Sequence, residues 1–204
     1  MKHLALMLLL VAVATPGELL AQIRTRTRDD YDDVFRKYSK RFFGPGFDWQ
    51  YFKAQGMAES GLAADATSHA GARGIMQLMP STYRAIQTTN PELKAIDHPE
   101  SNIAAGIMYD RDLWRTYQDH PDEERLRFMF GGYNAGPGTM RRAKNVARNE
   151  QLDEYRWTSV QRVAPRVQRW RYRETLGYVE RIGQNYEVLR AQPPGRVNAT
   201  QPHR

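Results

Sequence analysis

The sequence predicts an all-α protein with one folded domain. Apolar residues recur every three or four positions along most segments, which is the spacing of a helix that buries one face. No segment shows the sustained alternation of apolar and polar residues that is typical of a half-buried strand. The chain has 204 residues and no internal repeat, and this length suits a single domain with short appendages.

The first half of the chain contains four predicted helices, each bounded by a capping residue, a glycine or a proline. They cover residues 31–43, 49–59, 80–87 and 99–117. The turn Gly44-Pro45-Gly46 stops the first helix. Asp48 has the short polar side chain of an N-cap for the second, and Gly61 is placed to end it. Pro80 and Pro99 open the third and fourth helices, where the missing N–H of proline costs nothing.

The second half contains four more predicted helices. They cover residues 121–130, 139–149, 159–165 and 174–189. Gly136-Pro137-Gly138 breaks the chain between the first two. Thr158 is the predicted N-cap of the short third helix, which Pro165 ends. The last helix has the clearest periodicity, and we expect it to bury a continuous apolar stripe.

Residues 1–21 have the pattern of a secretory signal. Lys2 and His3 precede an unbroken apolar stretch at residues 4–14, and the small Ala21 stands before Gln22. The stretch is shorter than the ~20 residues that a membrane span needs. We expect cleavage after Ala21 and a periplasmic protein without a stable membrane span; a retained N-terminal anchor is the alternative. The remaining chain divides into a flexible lead-in, a folded domain and a disordered tail, at residues 22–30, 31–190 and 191–204.

Composition restricts the partners of such an exported protein. The chain lacks cysteine, which excludes a disulfide scaffold, a lipidation cysteine and a thiolate nucleophile. Its formal net charge is +7, and removal of residues 1–21 deletes one charge of each sign, Lys2 and Glu18. In the predicted compartment this charge favours anionic cell-envelope surfaces rather than nucleic acid. A solvated basic surface without a partner is the alternative.

Two chemistries are disfavoured by spacing. The five histidines do not pair at helical intervals, and nothing has the ligand spacing of a zinc or iron site. We therefore expect neither a metal nor another cofactor. A serine hydrolase is also disfavoured, because no G-x-S-x-G motif is present and no strand precedes a helix to form its turn.

Glu59 is the strongest candidate for chemistry. The apolar residues Leu62, Ile75 and Met76 lie close to it in sequence, and the loop after Glu59 returns to them. If this loop shields the carboxyl from water, desolvation raises its pKa and makes it a general acid near neutral pH. Glycosidases ordinarily pair two carboxylates. Here the nearest other acid is Asp65, which has no strong claim to be the partner.

These residues carry a resemblance to a known family. The segment resembles the signature of soluble lytic murein transglycosylases with the goose-type lysozyme-like fold, in the motif Glu59-Ser60-Gly61…Ala66-x-Ser68-x-x-Gly71-Ala72-x-Gly74-Ile75-Met76-Gln77-Leu78-Met79-Pro80. Further motifs of the family follow in order, as Asn102-Ile103-x-x-Gly106, Tyr133-Asn134-Ala135-Gly136-Pro137-Gly138 and Glu174-Thr175-x-x-Tyr178-Val179. The start of the domain, Tyr31-Asp32-x-x-Phe35-x-x-Tyr38, is similar to the corresponding segment of the membrane-bound lytic transglycosylase F branch. The resemblance covers residues 31–189.

The sequence departs from the family at three places. Ala64-Asp65 replaces a common Asn-Pro, and Gly131-Gly132 replaces the usual Ala-Ala or Ala-Tyr. The N-terminal solute-binding-like domain of the branch is not in this sequence, so the resemblance does not extend to amino-acid sensing or outer-membrane anchoring.

The resemblance implies a site with one acid. Glu59 is expected to protonate the β-1,4 oxygen between N-acetylmuramic acid and N-acetylglucosamine, and then to accept the proton of the muramyl C6 hydroxyl as a 1,6-anhydro ring closes. Tyr178 is expected to orient the acid. The substrate contacts that the resemblance implies are hydrogen bonds from Ser68 and Gln77, an apolar wall at Met79, and a groove lined by Tyr133 and Asn134.

Each of these residues also has a purely structural interpretation. Met79 and its apolar neighbours can be core, Ser68 can cap the loop, and Tyr178 can simply pack. At the level of function, a lysozyme-like hydrolase on the same fold and a non-catalytic peptidoglycan-binding component of an envelope assembly remain open. The expected partners are peptidoglycan glycan strands, with other cell-envelope proteins as further candidates.

Overall fold

A computed structural model of the chain describes residues 31–191. The predicted signal at residues 1–21, the lead-in at 22–30 and all but the first residue of the predicted tail lie outside this range. That first residue, Ala191, belongs to the last helix. In the described range the chain forms eight α-helices and one 3₁₀ turn, at Ala164–Arg166, and no strand. The predicted all-α class is therefore confirmed.

The helices follow one another through short connections, except where a long loop separates the second from the third. In chain order they are α1 (Asp32–Phe43), α2 (Gln50–Ser60), α3 (Pro80–Thr89), α4 (Pro99–Thr116), α5 (Asp122–Ala135), α6 (Pro137–Asn149), α7 (Trp157–Val163) and α8 (Tyr172–Ala191). No helix in this range is long and apolar enough to cross a membrane.

The core forms around α4. Residues 101–108 of this helix are all buried, so it has no solvent-facing side over two turns. Helix α1 packs on one side of α4 and α5 on another, while α2 packs along α8. Helix α5 also contacts α8, and these contacts bring α2, α4, α5 and α8 together around one region. Burial of large apolar side chains is the main favourable term for such a packing.

The predicted C-cap of α2 is confirmed, and the predicted N-cap residue, Asp48, lies one position before the observed N-cap, Trp49. The Asp48 carboxylate accepts the backbone N–H of Gln50 at 3.0 Å, which satisfies one of the free donors at the start of the helix. Gly61 ends the helix in the left-handed conformation, with φ of 65°, and its N–H donates to the carbonyl of Met57 at 3.0 Å. Both bonds involve residues within three positions of the helix end, which is why a sequence pattern places the ends of this helix to within one residue.

The predicted cap of α7 is wrong. Thr158 lies inside the helix, which begins at Trp157. The cap comes from a distant residue instead, because the backbone N–H of Trp157 donates to the carboxylate of Glu124 at 2.7 Å.

Other helix ends also differ from the prediction. Helix α5 continues past residue 130 to Ala135, α3 continues past residue 87 to Thr89, and α8 begins at Tyr172 rather than 174. The pair Gly131-Gly132 within α5 is buried, and a Cβ on Gly131 would lie 2.7 Å from the Trp157 ring. This glycine therefore serves close packing and does not interrupt the helix. Because α5 continues through these glycines to Ala135, Tyr133 and Asn134 lie on a helix rather than in a loop.

Candidate active site

Glu59 lies in the last turn of α2, beside α8. The Tyr178 hydroxyl donates a hydrogen bond to Glu59 Oε1 at 2.6 Å. Tyr178 itself is 2% exposed, so its ring is fixed in the core while its hydroxyl reaches the carboxyl. The predicted proximity of Tyr178 and Glu59, residues 119 positions apart in sequence, is thus present in the structure.

The surroundings of Glu59 favour its neutral form. Burial raises the pKa of Glu59 to about 7, against the opposing effects of the Tyr178 hydroxyl and the positive charge of Arg181. Burial, with the nearby Glu59 charge, also raises the pKa of Tyr178 well above its ordinary value, so the phenol stays protonated and remains a donor. A carboxyl with a pKa near neutrality can give up a proton and take one back at the same pH.

The loop at residues 61–79 is held in a compact form by its own backbone. Arg73 and Leu78 exchange both backbone hydrogen bonds at 3.0 Å, and the N–H of Gly74 donates to the carbonyl of Ala66 at 2.9 Å. The hydroxyl of Ser60, next to the acid, donates to the carbonyl of Ile75 at 2.8 Å. This last bond ties the returning arm of the loop to the end of α2 that carries Glu59.

A buried asparagine on α4 fixes the same loop from beneath. Asn102 is 1% exposed. Its oxygen accepts the N–H of Met76 at 2.8 Å, and its amide donates to the carbonyls of Arg73 at 3.0 Å and Ile96 at 2.9 Å. The family motif included Asn102 but predicted no role for it. An amide inside an otherwise apolar helix stripe was the signal, since buried polar groups need partners.

Gly74 leaves the space that Asn102 needs. Its φ is 78°, a conformation that side chains rarely adopt. A Cβ on Gly74 would lie 2.4 Å from the Asn102 amide nitrogen. The positive φ and the close approach of Asn102 both require glycine at this position. The glycine in the motif therefore makes room for the Asn102 side chain that holds the loop.

Tyr133 joins the loop from α5. Its hydroxyl donates to the carbonyl of Met76 at 2.8 Å, and its ring lies 5.2 Å from that of Tyr109 on α4. The ring remains partly exposed. Burial raises the pKa of Tyr133 well above its ordinary value, and the charge of Glu59 adds to this effect, which places Tyr133 within the electrostatic reach of the acid.

Ser68, Gln77 and Asn134 bond to the protein in this structure. The Ser68 hydroxyl accepts the N–H of Ala72 at 3.0 Å. The Gln77 amide donates to the carbonyl of Gly74 at 2.9 Å and to that of Ala66 at 3.2 Å. None of these bonds reaches Glu59. The expected contacts of these side chains with substrate therefore stay predictions, and their present bonds shape the loop.

Asn134 and Met79 make no hydrogen bond to Glu59, and their predicted substrate contacts stay predictions. The oxygen of Asn134 accepts the hydroxyl of Thr175 at 2.8 Å, and Thr175 accepts the Trp170 indole N–H at 2.9 Å. This chain of bonds holds the start of α8 against the end of α5. Met79 is 41% exposed, directly before α3, and it presents an apolar side chain to solvent.

The sequence matches a family model over most of this region. Residues 34–156 match the model described as the transglycosylase SLT domain. The chain belongs to this family. The matched SLT segment contains Glu59, the loop, Asn102 and Tyr133. Tyr178 lies beyond it, and its place beside the acid comes from the fold.

Similar proteins carry the name "membrane-bound lytic murein transglycosylase F". The one from Desulfosudis oleivorans is 34% identical over 157 residues, which are 71% of this chain and 34% of that protein. The one from Pseudomonas putida is 29% identical over 171 residues, 78% of this chain and 34% of that protein. The chain thus spans about a third of the length of these SLT relatives.

Solved structures confirm the predicted goose-type lysozyme-like fold. The 70-kDa soluble lytic transglycosylase of Escherichia coli superposes with a TM-score of 0.60 at 23% identity, over 86% of this chain and 27% of that one. The same enzyme in complex with bulgecin A gives a TM-score of 0.60 over 90% of this chain and 28% of that one. At this identity the likeness establishes the fold of the SLT domain.

Proposed function

We propose that this SLT domain is a peptidoglycan lytic transglycosylase. The observation that carries the proposal is Glu59: a carboxyl whose pKa burial raises to about 7, held by a neutral donor at 2.6 Å, beside a loop fixed to the core. Such a carboxyl is suited to protonating a leaving oxygen. Similarity to proteins named as lytic murein transglycosylases supports the choice of substrate.

The reaction uses Glu59 twice. The protonated carboxyl gives its proton to the oxygen between C1 of N-acetylmuramic acid and C4 of N-acetylglucosamine, and the bond from C1 to that oxygen breaks. The carboxylate then accepts the proton of the muramyl C6 hydroxyl while this oxygen bonds to C1. The products are a free C4 hydroxyl and a 1,6-anhydromuramyl end. Glu59 ends protonated, and no water is consumed.

The arrangement of the other carboxyls supports this reaction over hydrolysis. An inverting hydrolase needs a second carboxylate to activate water, and a retaining one needs a carboxylate nucleophile. Asp65 is exposed on the loop and makes no hydrogen bond to the acid. Asp110 is 0% exposed, so water and sugar do not reach it. Intramolecular attack by the C6 hydroxyl requires neither.

The remaining residues have supporting roles in this proposal. Tyr178 keeps the Glu59 carboxyl oriented through both steps and adds no charge. Tyr133 and Asn134 line the glycan groove at the end of α5, with Met79 as an apolar wall and with Ser68 and Gln77 as polar contacts for the N-acetyl groups. Residues 31–190 form the catalytic unit. Export with cleavage after Ala21 brings it to the periplasm, where peptidoglycan is the partner.

The products of digested sacculi test the proposal. Purified sacculi are incubated with the protein, and the released muropeptides are analysed by mass spectrometry. We expect anhydro ends, one water molecule lighter than the corresponding reducing ends. Reducing ends alone would identify a hydrolase on the same fold. Sedimentation of the protein with sacculi without release of soluble muropeptides would identify a non-catalytic binding protein.

A further inference from the structure

A second buried acid is hydrogen-bonded to the helix that carries Glu59. Asp110, on α4, and Gln55, on α2, are both 0% exposed. The Gln55 amide nitrogen donates to Asp110 Oδ1 at 3.3 Å. Gln55 stands one helical turn before Glu59, so the two side chains project from the same face of α2. The reaction proposed above does not use this pair.

Each partner has one oxygen left without a hydrogen bond. Within residues 31–191, nothing donates to Gln55 Oε1 or Asp110 Oδ2, and Asp110 forms no ion pair. Buried polar atoms without partners are rare and costly. One proton on Asp110 Oδ2 accounts for both atoms, because it can be donated to Gln55 Oε1. With that proton, the two side chains would form a cyclic acid–amide pair with a hydrogen bond in each direction.

An ionised Asp110 would be unfavourable in this position. A buried carboxylate without a cation loses its hydration and gains little in return. The groups whose charges couple to Asp110 are Glu59 from α2, Tyr109 from α4, Tyr133 from α5 and Tyr178 from α8, and none of them is a cation. Burial raises the pKa of Asp110 well above its ordinary value, and the Glu59 charge raises it further, against the hydrogen bond from Gln55.

We propose that Asp110 is a protonated positioning residue which, through Gln55, fixes the turn of α2 that carries Glu59 and stays neutral throughout the reaction. Its neutrality matters in the second half of the reaction, when Glu59 is a carboxylate. A second negative charge beneath Glu59 would oppose that ionisation. A neutral acid supplies two directed hydrogen bonds and leaves the charge to Glu59 and to Arg181, whose positive charge favours the Glu59 carboxylate.

The protonation state is tested without any activity measurement. In the Glu59→Gln background at pH 7, infrared difference spectra are recorded against the Glu59→Gln/Asp110→Asn protein. We expect the C=O band of a protonated carboxyl, shifted in D₂O and absent after the second substitution. Only carboxylate bands would overturn the proposal. This result does not depend on the proposed function, so the two can fail separately.

The effect on Glu59 is tested by NMR titration of its carboxyl carbon. Asp110→Asn replaces one neutral donor with another, so we expect the Glu59 midpoint to move by less than about 0.3 pH unit, a small fraction of a typical protein pKa perturbation. A fall of the Glu59 midpoint by about one pH unit or more would show that the substitution had removed a negative charge. That result would overturn the proposal.

The positioning role, which rests on the proposed function, is tested by kcat. Asp110→Leu leaves the Gln55 amide without partners, and we expect a loss of about tenfold or more from misplacement of the acid; Asp110→Asn recovers most of this loss. The double variant Gln55→Leu/Asp110→Leu removes both polar partners, which can be nearly neutral for stability. We expect its melting temperature to recover and its kcat to stay low. If the melting temperature and kcat recovered together, Gln55 and Asp110 would have only a packing role in the core, and the proposal would be overturned.

Discussion

Replacing Glu59 by glutamine should abolish activity and stabilise the fold at alkaline pH. Glutamine keeps the size of the side chain and an oxygen that can accept the Tyr178 hydroxyl, but it cannot exchange a proton. General acid–base groups contribute ~10²–10⁴-fold, and here one group serves two steps. We therefore expect a loss at the top of that range or beyond, with normal folding and retained binding of glycan.

The stability effect follows from the pKa of Glu59. Burial raises the pKa from 4.5 to about 7, so the folded state holds a proton that the unfolded state releases between these values. Stability therefore falls as pH rises through this window and is fully reduced above about pH 7. A difference of 2.5 units corresponds to about 3 kcal/mol. Because the side chain keeps some contact with solvent, we expect Glu59→Gln to gain about 1–2 kcal/mol of this at pH 8.

The assay is urea unfolding of both proteins at pH 4.5 and pH 8. The free energies of unfolding should be similar at pH 4.5, and the variant should be the more stable protein at pH 8. Asp65→Asn is the matched control, since it removes one carboxylate from the exposed part of the loop; it should change neither stability nor activity appreciably. Equal stability of wild type and Glu59→Gln at pH 8 would refute the desolvated site. Turnover above about a tenth of wild type, well short of the expected loss, would refute the catalytic role.

Two further substitutions test the groups around the acid. Tyr178→Phe removes a donor that lowers the pKa of Glu59, so the alkaline limb of the activity profile should move to higher pH while kcat falls toward the lower end of the ~10²–10³-fold range for a preorganised donor; an unmoved limb with full activity would make Tyr178 a packing residue. Its melting temperature should stay within a few degrees of wild type, since one hydrogen bond is worth ~1 kcal/mol. Asn102→Leu should cost about 3–5 kcal/mol, because it leaves the Met76 N–H and the Ile96 carbonyl without their partners. Amide exchange at residues 73–76 should also become faster. Thermal melts and hydrogen exchange measure these two effects, and a variant with native protection in this loop would contradict the role of Asn102.

The parts of this fold that a sequence pattern predicts are those determined by neighbouring residues. Gly61 ends α2 as predicted, and Asp48, one position before the N-cap, accepts the N–H of Gln50; both bonds join residues no more than four positions apart. The prediction of Thr158 as a cap was wrong, because α7 begins where Glu124 accepts the Trp157 N–H from 33 positions away. Thr158 has a suitable side chain for a cap, but the tertiary contact with Glu124 starts the helix before it, at Trp157.

The site shows the same division between local and distant determinants. Glu59 was found from its loop and its apolar neighbours. Those neighbours also predict the burial that raises its pKa. The opposing effects of Tyr178 and Arg181 come from α8, which is distant in sequence, and cannot be read from the residues that surround Glu59. Asp110 illustrates the limit most clearly. Its position in the sequence is that of an ordinary acid on a helix, and tertiary packing, which places it against Gln55 of α2, removes it from water.

The chemistry of a single acid explains why the loop needs so many internal bonds. In the proposed reaction, Glu59 has to stay desolvated enough to hold a proton near pH 7, and it also has to remain open to a glycan chain. An apolar lid would satisfy the first need and prevent the second. Here the loop carries its own backbone pairing at Arg73 and Leu78, and Asn102 of α4 binds it to the core, so these bonds hold it in place without an apolar lid. Loss of Asn102 should therefore reduce activity even in molecules that remain folded.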